Sequence, residues 1–219
     1  MKQMCCSIII PTWNALHLID RCLRSILVHI DKETTEIIVV DDGSTDDTAS
    51  QLNKSFPEVI LEHHQTNKGF GASCNDGVAR AKYEIIILLN NDIIVNGPFI
   101  DPLLRHFSDN KVFAVNAQIF QRDGHTPGGG LVRGFMHCGL LRLRWAEAKK
   151  AREHGGLTLY ANGAATAIKR DKFLELGGFD SLYAPFYSED LDLSYRAYQQ
   201  GWVVHYEPQS QLRHDHSET

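Results

Sequence analysis

Four short polar segments carry residue types able to do chemistry. Asp41-Asp42-Gly43-Ser44 sets two carboxylates directly after the apolar run Ile37-Ile38-Val39-Val40. A carboxylate there can accept a hydrogen bond from a base ring N–H or a ribose hydroxyl, and Thr12 and Asn14, after an earlier apolar run, can complete such a pocket. The same residues make turns, and Ser44 or Thr45 can cap a following helix. Asn90-Asn91-Asp92 offers one carboxylate and two carbonyl oxygens, the hard donors that Mg²⁺ or Mn²⁺ prefers, although a plain turn uses the same residues. Ser188-Glu189-Asp190-Leu191-Asp192 follows the aromatic-rich Tyr183-Ala184-Pro185-Phe186-Tyr187. A carboxylate held against that apolar wall can act as a general base. Ser188 as an N-cap, with acids in the first helical turn, accounts for the segment without any chemistry. His214 in His214-Asp215-His216 can complete a metal shell begun by Asp92, while its place near the chain end equally suits a frayed surface residue.

A further segment, Asn67-Lys68-Gly69-Phe70-Gly71, is a glycine-bearing turn running into a helical pattern, where backbone N–H groups and the helix dipole can receive a phosphate. It is not the dinucleotide fingerprint, since Cys74 stands where the third glycine belongs and the turn follows the third strand rather than the first. The Walker pattern is also missing, which argues against a P-loop NTPase. The basic stretch from Arg142 to Arg152 reads as a solvated helix face that can also hold an anionic acceptor or touch a membrane surface.

The elements that must position these residues follow from hydrophobic pattern. Residues 7–10, 37–40, 59–61 and 85–89 are short, β-branched and unalternating, as strands covered on both faces are. Leu16, Ile19, Leu23, Ile26 and Leu27 make one helical stripe between the first two. The order β-α-β-α-β-α-β implies a doubly wound, mostly parallel sheet with ligands beyond the carboxyl ends of its strands. After Asp92 the alternation stops. A strand is expected near 164–168, a short helix at 171–176, and a second helix after Ser188 that runs to a glycine cap at Gly201.

The 219 residues, 43% hydrophobic and 22% charged, suit one α/β domain spanning 1–219. Five cysteines without CxxC spacing argue against a disulfide framework or structural zinc and point to a reducing, cytoplasmic setting. The N-terminus lacks a signal-peptide core, and the longest apolar run is far short of a membrane span. A net charge of −5 argues against a nucleic-acid partner without excluding a small phosphorylated ligand.

Taken in order, residues 7–14, 40–48, 67–75, 88–95, 162–168, 177–180 and 188–196 resemble the family 2 glycosyltransferases of GT-A fold, and the NxGFGxxxN and LLNxD segments resemble their rhamnosyltransferase-like subgroup. The resemblance implies a Rossmann-like nucleotide-sugar-binding half, 1–95, and an acceptor-binding and catalytic half, 96–219. It implies inverting transfer of a sugar from a UDP-, dTDP- or GDP-linked donor to a glycan or lipid-linked acceptor hydroxyl, in cell-surface polysaccharide or glycoconjugate synthesis. It also implies a divalent cation, Mn²⁺ or Mg²⁺, and a position in the cytoplasm or at the inner face of the membrane. Pro11, Thr12, Asn14 and Asn91 would line the nucleotide site, and Asp42 would contact the base. Asn67, Lys68 and Asn75 would lie near the nucleotide or its diphosphate. Asp92 matches the last acid of the family's DxD motif and would meet the metal, His214 matches a late histidine that also binds it, and Asp190 matches the catalytic base. Asn90 replaces the first DxD acid, which leaves fewer charges to hold the metal. The chain stops after His216 where many relatives continue, as expected of one domain of a longer protein. A sugar-1-phosphate nucleotidyltransferase would need a glycine-rich, arginine-containing loop after the first strand, which is missing. A non-catalytic nucleotide-sugar-binding module would lack the Glu189-Asp190 pair.

Overall fold

The computed structural model describes residues 4–145, 153–185 and 187–215. Its first half is the alternation expected: β1 (Cys6–Thr12), α1 (Leu16–Leu27), β2 (Thr35–Asp41), α2 (Thr48–Ser55), β3 (Ile60–His63), α3 (Phe70–Arg80) and β4 (Ile85–Leu89). These four strands are parallel neighbours in the order β4-β1-β2-β3, so their carboxyl ends share one side of the molecule.

The second half contributes β5 (Ile93–Val95), α4 (Ile100–Leu104), β6 (Val112–Phe120), β7 (Pro127–Gly129), β8 (Val132–His137), β9 (Leu140–Trp145), β10 (Gly156–Leu157), β11 (Ala165–Lys169), α5 (Arg170–Glu175), α6 (Glu189–Gln199) and β12 (Val203–His214). The same sheet continues through them in the order β10-β12-β6-β11-β4, with β11 antiparallel to both its neighbours and β12 parallel to β6. β8 and β9 form a separate two-stranded hairpin.

Both faces of the sheet are covered, which is why its strands carry unbroken apolar runs. Ile8, Ile10, Val39 and Ile87 face a core closed by Ile19, Leu23 and Ile26 of α1 and Leu103 of α4. Ile9, Val40, Ile86 and Leu88 face a second core closed by Val78 of α3, Phe173 of α5 and Leu193 of α6. Gly77 lets α3 lie close to the sheet, since a Cβ there would sit 2.5 Å from Ile9 Cγ2.

Three local expectations are corrected. Ser188 is no side-chain N-cap: its φ of 80° is left-handed and its hydroxyl makes no cap bond. Neither Ser44 nor Thr45 caps α2, where Asp47 holds the N-cap position and the backbone N–H of Thr48 donates to Asp46 Oδ1 at 3.0 Å. Of the supposed basic helix, Arg142 to Trp145 lie in strand β9, because they pair with β8. Residues 146–152, Phe186 and His216 lie outside the described residues.

Candidate functional site

The polar segments after β1, β2 and β4 converge beyond the carboxyl ends of the strands, as the doubly wound topology requires. Pro11, Thr12, Trp13, Asp42, Asn67, Gly69, Phe70, Ser73, Asn90, Asn91 and Pro185 line an open cleft of about 1250 Å³ that includes solvent at its mouth.

Asp42 is buried and already engaged. Its Oδ1 accepts from Lys68 N–H at 2.9 Å and lies 2.7 Å from His64 Nδ1, and its Oδ2 accepts from Gly69 N–H at 2.8 Å. Two of the amides offered to a phosphate by the sequence pattern are therefore spent on this carboxylate, which fastens the 67–69 turn to the end of β2. Gly43 makes the approach possible: at φ 75°, a Cβ there would meet the Thr66 carbonyl carbon at 2.7 Å. Asp42→Ala should release the turn, so the melting temperature and nucleotide affinity fall together, with affinity reduced by about 1–3 kcal/mol. Calorimetric titration beside a thermal melt checks this, and an unchanged dissociation constant in a destabilised variant would assign Asp42 to the fold alone.

Asn14, at a left-handed φ of 46°, fastens the neighbouring turn. Its Oδ1 accepts from Thr45 N–H at 2.7 Å, and its own N–H donates to Ser44 Oγ at 2.8 Å. Asn91 donates from Nδ2 to Thr12 Oγ1 at 2.9 Å, joining the ends of β1 and β4. Asn75 uses both ends of its amide on the backbone of Phe179, at 2.9 Å each, and so docks the 177–180 turn onto α3. Lys68 is exposed, with Nζ 2.9 Å from Asp76 Oδ2. With Asn75 it lines a smaller pocket that also includes Ser181, Pro185 and Glu189.

Asp92 and His214 meet across antiparallel strands. β5 pairs with the end of β12, His214 opposite Ile93, which brings His214 Nε2 to 2.7 Å from Asp92 Oδ1. Oδ1 is buried and has no aligned hydrogen bond. Asp215 anchors the pair: its N–H donates to the Asp92 carbonyl at 2.9 Å, and its buried carboxylate takes ion pairs from Arg21 and Arg122. Among the described residues no group of three or more His, Cys, Asp or Glu side chains is poised around one metal position. One carboxylate and one imidazole are nevertheless donor types that a divalent cation accepts.

Asp190, in the first turn of α6, is not among the residues that line the cleft but is linked to the Asn90–Asp92 turn through residues 163–164. The N–H of Asn90 donates to the Ala164 carbonyl at 3.0 Å, and the N–H of Gly163 donates to Asp190 Oδ2 at 3.4 Å. Burial raises the Asp190 carboxyl above the usual aspartate range, only partly offset by the N–H groups of Leu191 and Gly163. Glu189 is buried, and burial, followed by the adjacent Asp190, raises its carboxyl too. A carboxylate poised to hold a proton nearer neutrality is what a general base requires.

Trp13, Phe70 and Ser73 belong to the cleft without having been singled out. Trp13 stands within residues 7–14, already noted, and is 52% exposed at the cleft. Ser73 is wholly buried with an unpartnered hydroxyl.

This architecture is that of the GT-A glycosyltransferases. Superposition on the crystal structure of GalNAc-T7 with UDP, GalNAc and Mn²⁺ gives a TM-score of 0.79 at 19% identity, covering 98% of this chain and 44% of that one. The mannosyltransferase PcManGT from Pyrobaculum calidifontis, in complex with GDP-Man and Mn²⁺, gives 0.68 at 20% identity, covering 95% of this chain and 56% of that one. The chain belongs to glycosyl transferase family 2, whose family model matches residues 7–177. It is 27% identical over 212 residues to the pre-mycofactocin glycosyltransferase of Mycobacterium tuberculosis, covering 96% of this chain and 42% of the relative. It is 24% identical over 205 residues to the poly-beta-1,6-N-acetyl-D-glucosamine synthase of Staphylococcus aureus, covering 91% of this chain and 47% of the relative. The chain thus spans less than half the length of these curated relatives.

Proposed function

We propose that this domain is an inverting glycosyltransferase that moves a sugar from a nucleoside diphosphate sugar to an acceptor hydroxyl. One observation carries the reading: a carboxylate raised by burial, Asp190, lies one short hydrogen-bonded segment from the turn that aims Asp92 at His214. The family match and the sugar-transferring relatives support the same reading.

Pro11, Thr12, Asn14 and Asn91 shape the nucleotide side of the cleft, and Trp13 offers a face for the base. Asp42 acts mainly through the turn it holds, leaving Asn67 and the exposed charge of Lys68 toward the diphosphate. Asn75 contributes indirectly, by docking the 177–180 turn. Asp92 and His214 would hold Mn²⁺ or Mg²⁺. When bound, that cation supplies positive charge against the departing diphosphate. Asp190 takes the proton of the acceptor hydroxyl as its oxygen attacks the anomeric carbon from the side opposite the leaving group, so one displacement inverts the configuration. Residues 96–219 then carry the acceptor side of the site, and 1–95 the donor side. The acceptor is a glycan or lipid-linked sugar of a cell-surface polysaccharide or glycoconjugate, a reading supported by the relation to a polysaccharide synthase. Five free cysteines suit a cytoplasmic site of action.

Thermal melts against UDP-, dTDP- and GDP-sugars with Mn²⁺, paired with an assay for slow donor hydrolysis, test the reading. At least one donor should stabilise the protein and be hydrolysed. Failure of the whole panel in a folded preparation would sink it.

A further inference from the structure

The β8–β9 hairpin is a sheet of its own, tied down at its base by buried Val132, which bonds Thr158 and Leu159, while residues 133–140, 142 and 143 are exposed; a two-stranded hairpin is marginally stable without a covering surface. It turns through Cys138 and Gly139, both at positive φ (49° and 76°), the signature of a tight two-residue loop. Four of the twelve exposed large hydrophobic residues among the described ones fall in it: Phe135 (47%), Met136 (67%), Leu140 (59%) and Leu143 (47%). They concentrate toward its tip, a clustering that scattered surface residues do not show.

Charge identifies the occupant. Residues 132–152 hold six of the 22 Lys and Arg residues and one of the 27 acids, so this segment carries +5 while the rest of the chain carries −10. Strand alternation and pairing set exposed Arg133 and Arg142 on the hairpin face that also carries Phe135. An apolar tip flanked by arginines matches a bilayer interface with anionic headgroups, where side chains enter the acyl boundary and guanidinium groups meet phosphates. An acidic macromolecule would satisfy the arginines but leave the tip in water.

We propose that the β8–β9 hairpin is a lipid-surface anchor that inserts its tip into anionic bilayers. The proposal does not depend on the glycosyltransferase reading. Co-sedimentation of the full chain with phosphatidylcholine–phosphatidylglycerol vesicles and with pure phosphatidylcholine vesicles tests it. Binding should favour the anionic vesicles and weaken on the order of tenfold or more in Arg133→Gln/Arg142→Gln, and similarly in Met136→Ser/Leu140→Ser. All four changes lie at exposed positions, and melts verify that the variants fold. An environment-sensitive fluorophore on Cys138, in a Cys5→Ser background, reads insertion with no change to the arginines or the apolar tip residues, and its emission should shift to the blue on anionic vesicles alone. Equal binding to both vesicle types, or sedimentation without a blue shift, overturns the proposal. So does concentration-dependent dimerisation abolished by Met136→Ser/Leu140→Ser, which would assign the tip to a second copy of the chain.

Discussion

Asp190→Asn is expected to lower turnover by a factor on the order of 10² or more while donor binding persists, because the missing interaction belongs to the transition state. The substitution is nearly isosteric. At neutral pH the folded protein gains nothing from the wild-type charge: a carboxyl raised by burial contributes stability below its unfolded pKa and loses that contribution as pH rises through the folded one. Removing the desolvated charge offsets the loss of an acceptor for the Gly163 N–H, so the melting temperature should change little. The acid limb of the wild-type kcat/KM profile should lie above the ordinary aspartate value of about 3.9, with activity falling as Asp190 protonates, and that limb should vanish in the variant. Glu189→Gln is the comparison, since it shares the helix turn and the dipole without contacting Gly163. Near-normal transfer by Asp190→Asn would move the base elsewhere, with Asp192 and Glu189 the next to test.

Asp92→Ala is expected to abolish metal-dependent nucleotide binding. With nucleoside diphosphate at about 100 times its dissociation constant, the wild type should gain about 2.7 kcal/mol, or roughly 5–10 °C for a domain of this size. Most of that gain should be lost in EDTA. The Asp92→Ala melts with and without Mn²⁺ should superimpose. A wild type indifferent to metal would remove the cation from the Asp92–His214 pair, whose 2.7 Å approach would then be a plain carboxylate–imidazole contact.

Much of the architecture behind these expectations was legible in the residues. β1 to β4 and α1 announced themselves because a sheet covered on both faces demands unbroken β-branched runs and a surface helix demands an apolar stripe. The turns after β1, β2 and β4 were legible for the same reason, since the topology sends every one of those strand ends to a common side. The strands β6 and β12 were hidden. Asn116 and Gln118 interrupt β6, where Asn116 bonds the Gly130 and Tyr160 carbonyls at 2.9 Å each. Glu207, Pro208 and Gln209 break β12 at a register shift. Buried polar residues satisfied by distant partners look, in a linear pattern, like loop.

Composition and periodicity thus determined a doubly wound α/β sheet, its mouth, and the acids near that mouth. Only the tertiary structure decided what those acids touch. Asp42 turned inward because His64 and the Lys68 and Gly69 amides reach it first. His214 became the neighbour of Asp92 because β12 pairs with β5 across more than a hundred residues of chain. Periodicity reports which face of a segment is buried, whereas the partner across a sheet depends on strand order and register, and those are settled when distant segments compete for the same edge.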